Sequence, residues 1–168
     1  MPRIRLETAS DREAVFRVNA LAFGREDEAR LVDALREGGR VALSLVAEVD
    51  GEVVGHVLFT AMAVRSAAGA QAAVCLGPLA VLPARQRQGI GGRLLEAGLA
   101  SLREAGHAAV FLVGHPSYYV RFGFQPARVF DVHYEDDRDA FMAAELFPGA
   151  LEGVSGRAEF APEFYRFS

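Results

Sequence analysis

Lysine is missing altogether: all 18 basic residues among the 168 are arginine. That excludes a Walker A lysine, an internal Schiff base for pyridoxal phosphate and any self-acylated lysine side chain. Cysteine is nearly missing too. Cys75 stands alone, so it cannot form an intrachain disulfide, and with four scattered histidines it offers no zinc-ligand spacing. No metal is expected, and a reducing, cytoplasmic setting is. A basic excess is also lacking: 22 acidic residues against 18 basic give a net charge of −4, which argues against nucleic acid as a partner. The opening residues Met1 to Val15 carry charges throughout and no apolar signal region, so export is not expected. The longest uncharged stretch, Ser66 to Ala84, is interrupted by Gly69, Gln71, Gly77, Pro78 and Pro83. Those breakers suit a bent, buried strand and not a membrane span.

What is present is a globular composition, with 51% hydrophobic residues, 24% charged and 12 Phe. The length predicts a single domain over 1–168, large enough to bury about 68–70% of its unfolded surface. Ile4 and Leu6 alternate with charged residues as in a half-buried strand. Ser10 and Glu13 have the spacing of a capping box, and Val15, Val18 and Ala22 then share one helical face to about Phe23. A second helix over Glu26–Glu37 runs into Gly38-Gly39. Asp50-Gly51 between two apolar runs signals a hairpin. Ala72–Leu82 reads as an apolar strand, Ile90–Glu104 as a helix and Ala108–Val113 as a strand buried on both faces, which together make a βαβ unit. Shorter strands are expected around Val129–Tyr134, Ala140–Leu146 and Arg157–Phe160.

The chemistry concentrates between Leu76 and Leu95. Gly77-Pro78 interrupts an apolar strand, because Pro donates no backbone hydrogen bond, so a bulge or splay is expected there. Beyond it, backbone groups of Leu79 and Val81 are candidates to bond an extended, amide-bearing ligand. Gln88-Gly89-Ile90-Gly91-Gly92 then opens a helix, where glycines let N–H groups approach an anion closely. Arg85, Arg87 and Arg93 add positive charge, and a pyrophosphate suits this turn. It is not a dinucleotide fingerprint: the sixth position counted from Gly89 is Leu94, and no ribose-binding acid follows at the required distance.

Gln86-Arg87-Gln88-Gly89-Ile90-Gly91 resembles the Q/R-x-x-G-x-G/A signature of the GNAT superfamily of N-acetyltransferases. Tyr119-Val120-Arg121-Phe122-Gly123-Phe124 resembles that family's Y-x-x-x-G-F segment, at the right place after the next strand. The resemblance covers most of the chain to about Pro126 and points to a bacterial branch of predicted acetyltransferases. It implies an α/β fold with a mixed, splayed central sheet flanked by helices, in the order β-α-α-β-β-β-α-β-α-β-β, and a cofactor-binding core at about 72–124. The implied co-substrate is acetyl-coenzyme A, with its pantetheine arm along Leu79, Ala80 and Val81 and its pyrophosphate on Gln86, Arg87, Gln88, Gly89, Ile90, Gly91 and Gly92. The implied reaction is direct attack of a primary amine on the thioester through a tetrahedral intermediate, with Tyr119 as general acid to the departing thiolate. The acceptor stays open between a small-molecule amine and a protein N-terminus, and the apolar, Phe-rich C-terminal part with Phe160, Phe164 and Phe167 is a candidate surface for a homodimer.

Other readings stay open from the residues alone. Tyr119 also reads as a core aromatic beside Phe122 and Phe124, with Tyr118 as a rival acid. Cys75 in an apolar strand reads as packing, and His56, His107, His115 and His133 as structural or solvated. The acidic run Glu135-Asp136-Asp137 with Asp139 reads as a solvated loop or an attractor for a cationic amine. The strand over Ala72–Leu82 carries no Glu, Asp or His, so the base is water-mediated or lies elsewhere, as at Glu48. A non-catalytic acyl-coenzyme A binding module and a nucleotide-binding domain are the alternatives of a different class.

Overall fold

The computed structural model describes residues 1–136 and 138–167. Its chain forms two compact units, the first from Met1–Thr60, Gly77–Gly98 and the C-terminal residues from Ala161, the second from Ala61–Leu76 and Leu99–Phe160.

In the first unit, β1 (Arg3–Leu6) pairs antiparallel with β2 (Val41–Val49), which pairs antiparallel with the first part of β3 (Glu52–Ser66). The β2–β3 hairpin turns on Asp50 and Gly51, both at positive φ (51° and 79°), as a two-residue type I′ loop demands. Helices α1 (Arg12–Phe23) and α2 (Asp27–Glu37) follow the predicted spans within a residue. They bury Val15, Val18, Ala29, Val32 and Leu35. The predicted cap at Ser10 and Glu13 is replaced by an earlier one. Asp11 accepts from the Thr8 N–H at 2.7 Å and closes a short turn before α1. Arg5 of β1 draws Asp11 there through two charge-assisted bonds of 2.7 and 2.9 Å, which Glu13 could not match. That guanidinium holds the Asp11 carboxyl well below the usual carboxylate range.

Alternation along β3 sends its neighbours to opposite faces. Gly55 and Phe59 face α3 (Ile90–Glu104), whose Leu94 lies where a side chain at 55 would point. His56 faces α1 and meets Asn19. Helices therefore cover both faces of this part of the sheet. Strand β4 (Gly69–Val81) runs through Gly77-Pro78, which are joined by a cis peptide bond. Just past its end, the Leu82 N–H bonds Val54 O at 2.9 Å.

In the second unit, β5 (Ala109–Val113) runs parallel to β4 through Val74↔Val110 and Cys75↔Phe111, as the βαβ reading requires. On its other side it pairs antiparallel with β8 (Phe141–Glu145), and the two-residue β6 (Gln125–Pro126) pairs with β8 in turn. The last part of β3 pairs with β9 (Gly156–Glu159), and β9 pairs with β7 (Val132–His133). The helix predicted after β5 is the four-residue α4 (Pro116–Tyr119). Phe111 stacks on Phe141 at 5.8 Å between ring centroids, and Tyr134 and Phe160 close the same aromatic cluster. The sheet is mixed, with β5 parallel to β4 and antiparallel to β8, and its strand path does not close on itself. Among the described residues no helix is long and apolar enough to cross a membrane.

Candidate active site

The strand-to-helix turn after β4 lies in the first unit. Arg87 and Gly89 both adopt positive φ, 63° and 81°. The first bond of α3 runs from the Arg93 N–H to Gly89 O at 3.1 Å. The N–H groups of Ile90, Gly91 and Gly92 therefore lie ahead of the intrahelical ladder, at the positive end of a fifteen-residue helix. Ile90 is buried and anchors this end against Gly55, while Gln86 to Gly89 are exposed. The arrangement suits a phosphate oxygen, as expected of a glycine-rich helix start.

Gln86 has a second task that its place in the motif did not reveal. Its side-chain amide donates to Val81 O at 3.0 Å, tying the turn back to the end of β4. The Val81 carbonyl, open in the sequence reading, thus has a partner within the chain. Leu79 and Val81 are partly exposed and Ala80 is buried, the alternation of a strand with one solvent-facing side.

Tyr119 lies in the second unit, at the end of α4. Its ring meets Tyr118 edge-on at 4.9 Å and Phe124 at 5.8 Å. Burial, with Tyr118 adding to it, pushes its phenol up to about 12. A free thiol sits near 8.5, so full proton transfer from this phenol to a thiolate is uphill by about 5 kcal/mol. Such a phenol keeps its proton and serves as a hydrogen-bond donor. Tyr118 is engaged differently: the Arg121 guanidinium lies 4.4 Å above its ring. The His115 carbonyl accepts the Tyr118 N–H at 3.0 Å, and its side chain is exposed.

Other acid and base candidates are committed elsewhere. Glu48 accepts from Arg5 Nε at 2.7 Å. His56 is fully buried, and burial lowers its pKa to about 3. The Asn19 amide donates both to Val15 O (3.0 Å) and to His56 Nδ1 (3.1 Å), so the His56 proton sits on Nε2. Nε2–H then donates to Ser44 Oγ at 2.9 Å, and the Ser44 hydroxyl donates to Glu7, which also pairs with Arg36. Here histidine gives the serine a hydrogen bond instead of taking its proton, so this is no nucleophilic dyad. No single sequence motif linked these residues, which meet from α1, α2, β2, β3 and the residue just after β1. Cys75 is buried, in keeping with packing. Of the acidic run, Glu135 and Asp136 pair with Arg138, and Asp139 with Arg128; Asp137 lies outside the described residues. Among the described residues, no group of three or more His, Cys, Asp or Glu could hold a metal ion.

Comparison with known proteins identifies the family. Residues 3–127 match the acetyltransferase (GNAT) domain, a stretch that contains both the glycine turn and Tyr119. The N-acetyltransferase YhbS of Escherichia coli is 37% identical over 167 residues, covering 98% of this chain and 99% of that one. The match to YjhQ of the same species is 43% identical over 119 residues, 70% of this chain and 66% of that protein. The crystal structure of YhbS in complex with CoA superposes with a TM-score of 0.93 at 36% identity, over 99% of this chain and 93% of that one. A GNAT family acetyltransferase from Brucella melitensis in complex with acetyl-CoA gives 0.81 at 34% identity, over 98% of each chain. The chain belongs to the GNAT family of N-acetyltransferases. Its class is therefore acyltransferase.

Proposed function

We propose that this chain transfers an acetyl group from acetyl-coenzyme A to a primary amine, acting as one domain over 1–168 in a cytoplasmic setting. The observation that carries the reading is the pair of positive-φ residues, Arg87 and Gly89, just ahead of α3, with the N–H groups of Ile90, Gly91 and Gly92 unladdered behind them. Gln86 to Gly92 would hold the pyrophosphate, with Leu79, Ala80 and Val81 lying along the pantetheine amides. The two relatives solved with CoA and acetyl-CoA support this assignment. When bound, the thioester supplies an activated acyl carbon and a thiolate leaving group.

The chain's own residues do the rest. An acceptor amine with pKa about 10.4 must shed a proton before it attacks, which costs about 4–5 kcal/mol at pH 7. Strand β4 carries no acid and Glu48 is held by Arg5, so ordered water takes this proton. Backbone N–H groups of β4 donate to the oxygen that becomes charged as the amine attacks. Tyr119 steadies the departing sulfur by hydrogen bonding. The acceptor is a small-molecule amine or a protein N-terminus.

The experiment is calorimetric titration with acetyl-coenzyme A, with ATP and NAD as controls, followed by thiol-release assays on polyamines and on peptides with free N-termini. Selective binding with thiol release supports the enzyme. Binding without release from any amine favours an acyl-coenzyme A sensing module. No binding by a folded sample removes the reading.

A further inference from the structure

Gly114 follows β5 directly, where a glycine would ordinarily serve a turn that needs positive φ. It is absent from the positive-φ glycines, so its backbone does not require glycine. Space does. A Cβ at 114 would fall 2.6 Å from Tyr119 Cε2, 3.1 Å from Cδ2 and 3.4 Å from Leu112 Cδ1. Neither side can retreat easily. The Gly114 N–H is fixed to Ala140 O at 2.9 Å, and the Tyr119 ring is wedged against Tyr118 and against Phe124, which is fully buried.

We propose that Gly114 is a positioning residue for Tyr119: the missing side chain at 114 is the slot that decides where the phenol oxygen stands. This rests on the reading of Tyr119 as hydrogen-bond donor to the leaving thiolate. One methyl group at 114 would push the ring off that position without touching the turn over Gln86–Gly92, so turnover suffers while coenzyme affinity does not.

The test is a double-mutant cycle on turnover. Gly114→Ala is expected to lower kcat at least tenfold with the acetyl-coenzyme A Kd within about twofold of wild type, and to lower it no further in a Tyr119→Phe background, which keeps the ring but lacks the hydroxyl. A readout independent of activity comes from tyrosinate absorbance after a jump to pH 11, clean because the chain has four Tyr and no Trp. Wild type should hold more phenol un-ionised at pH 11 than Gly114→Ala, and that difference should vanish in a Tyr119→Phe background. If Gly114→Ala folds poorly, melting temperature decides. The penalty of the added methyl should vanish when Tyr119 is also trimmed to Ala. Unchanged kcat in Gly114→Ala, an equal fall in both backgrounds, or a melting penalty that survives trimming overturns the proposal. Full turnover by Tyr119→Phe alone overturns it at its premise, and is recognised as such because the pH 11 difference then remains.

Discussion

The Asn19 amide and His56 Nδ1, 3.1 Å apart in the core of the first unit, lock the histidine as a neutral donor to Ser44. Burial lowers the His56 pKa from an ordinary 6.5 to about 3. In the unfolded chain the ring takes up a proton below pH 6.5, while the folded protein refuses it until near pH 3. The unfolded state thus binds more protons between those values, and stability falls as the pH is lowered through that window. Between pH 7.5 and 4.5 the loss from this residue alone is roughly 3 kcal/mol. His56→Gln should be less stable at pH 7.5 but lose that much less on acidification, measured by urea unfolding at both pH values. Equal acid sensitivity of the two proteins would remove His56 as the cause.

Gly98 of α3 lies directly over the Phe59 ring, and a methyl there would penetrate it. Helix propensity favours Gly98→Ala by about 1 kcal/mol. Overpacking opposes it by about 1–3 kcal/mol, and Phe59 is fully buried with nowhere to turn. The clash should win. Gly98→Ala is expected to lower Tm by about 2–8 °C, and Gly98→Ala with Phe59→Leu to lose less than the two single changes together. A raised Tm for the single variant would show that the ring gives way.

These two relationships mark where sequence reading stopped. The Asp50-Gly51 hairpin, α3 and the βαβ order were legible because each is written in neighbouring residues through turn chemistry or a helical period. The glycine turn was legible for the same reason: its function lies in consecutive backbone groups. Asn19, Ser44 and His56 carry no local pattern, since tertiary packing alone brings them together. Asp11 displaced the predicted cap because Arg5, on another element, competes for it. The two residues of β6 are too few to show a period. At the site, Tyr119 was found by its segment, but the direction of its pKa shift depends on burial, and the need for Gly114 depends on a ring five residues away.

The glycine turn invites a test of whether backbone or side chains hold the pyrophosphate. Arg87 occupies a left-handed conformation at φ 63°, which costs a residue with a Cβ roughly 1–2 kcal/mol. Arg87→Gly relieves that strain and removes one charge, yet keeps the N–H. Gly89→Ala does the opposite: it adds the same strain at φ 81° and keeps every charge. If backbone amides dominate, calorimetry should give a coenzyme Kd raised less than about threefold by Arg87→Gly but about 5–30-fold by Gly89→Ala, the equivalent of 1–2 kcal/mol. The reverse order would assign the anion to arginine side chains.

Tyr119 and Tyr118 are separated by what the phenol must do. A donor that keeps its proton is unharmed by a pKa raised to about 12; the shift extends the range over which the hydroxyl is present. Turnover should therefore keep rising with pH as the acceptor amine loses its proton, with no fall by pH 10.5. A phenol near its ordinary 10 would impose a fall by that point. Tyr119→Phe should reduce kcat by roughly 10²-fold or more at every pH while leaving coenzyme affinity near normal. Tyr118→Phe retains the ring under Arg121 and the edge contact to Tyr119, so it should keep kcat within about threefold. The opposite pair of results would transfer the donor's role to Tyr118 and withdraw it from Tyr119.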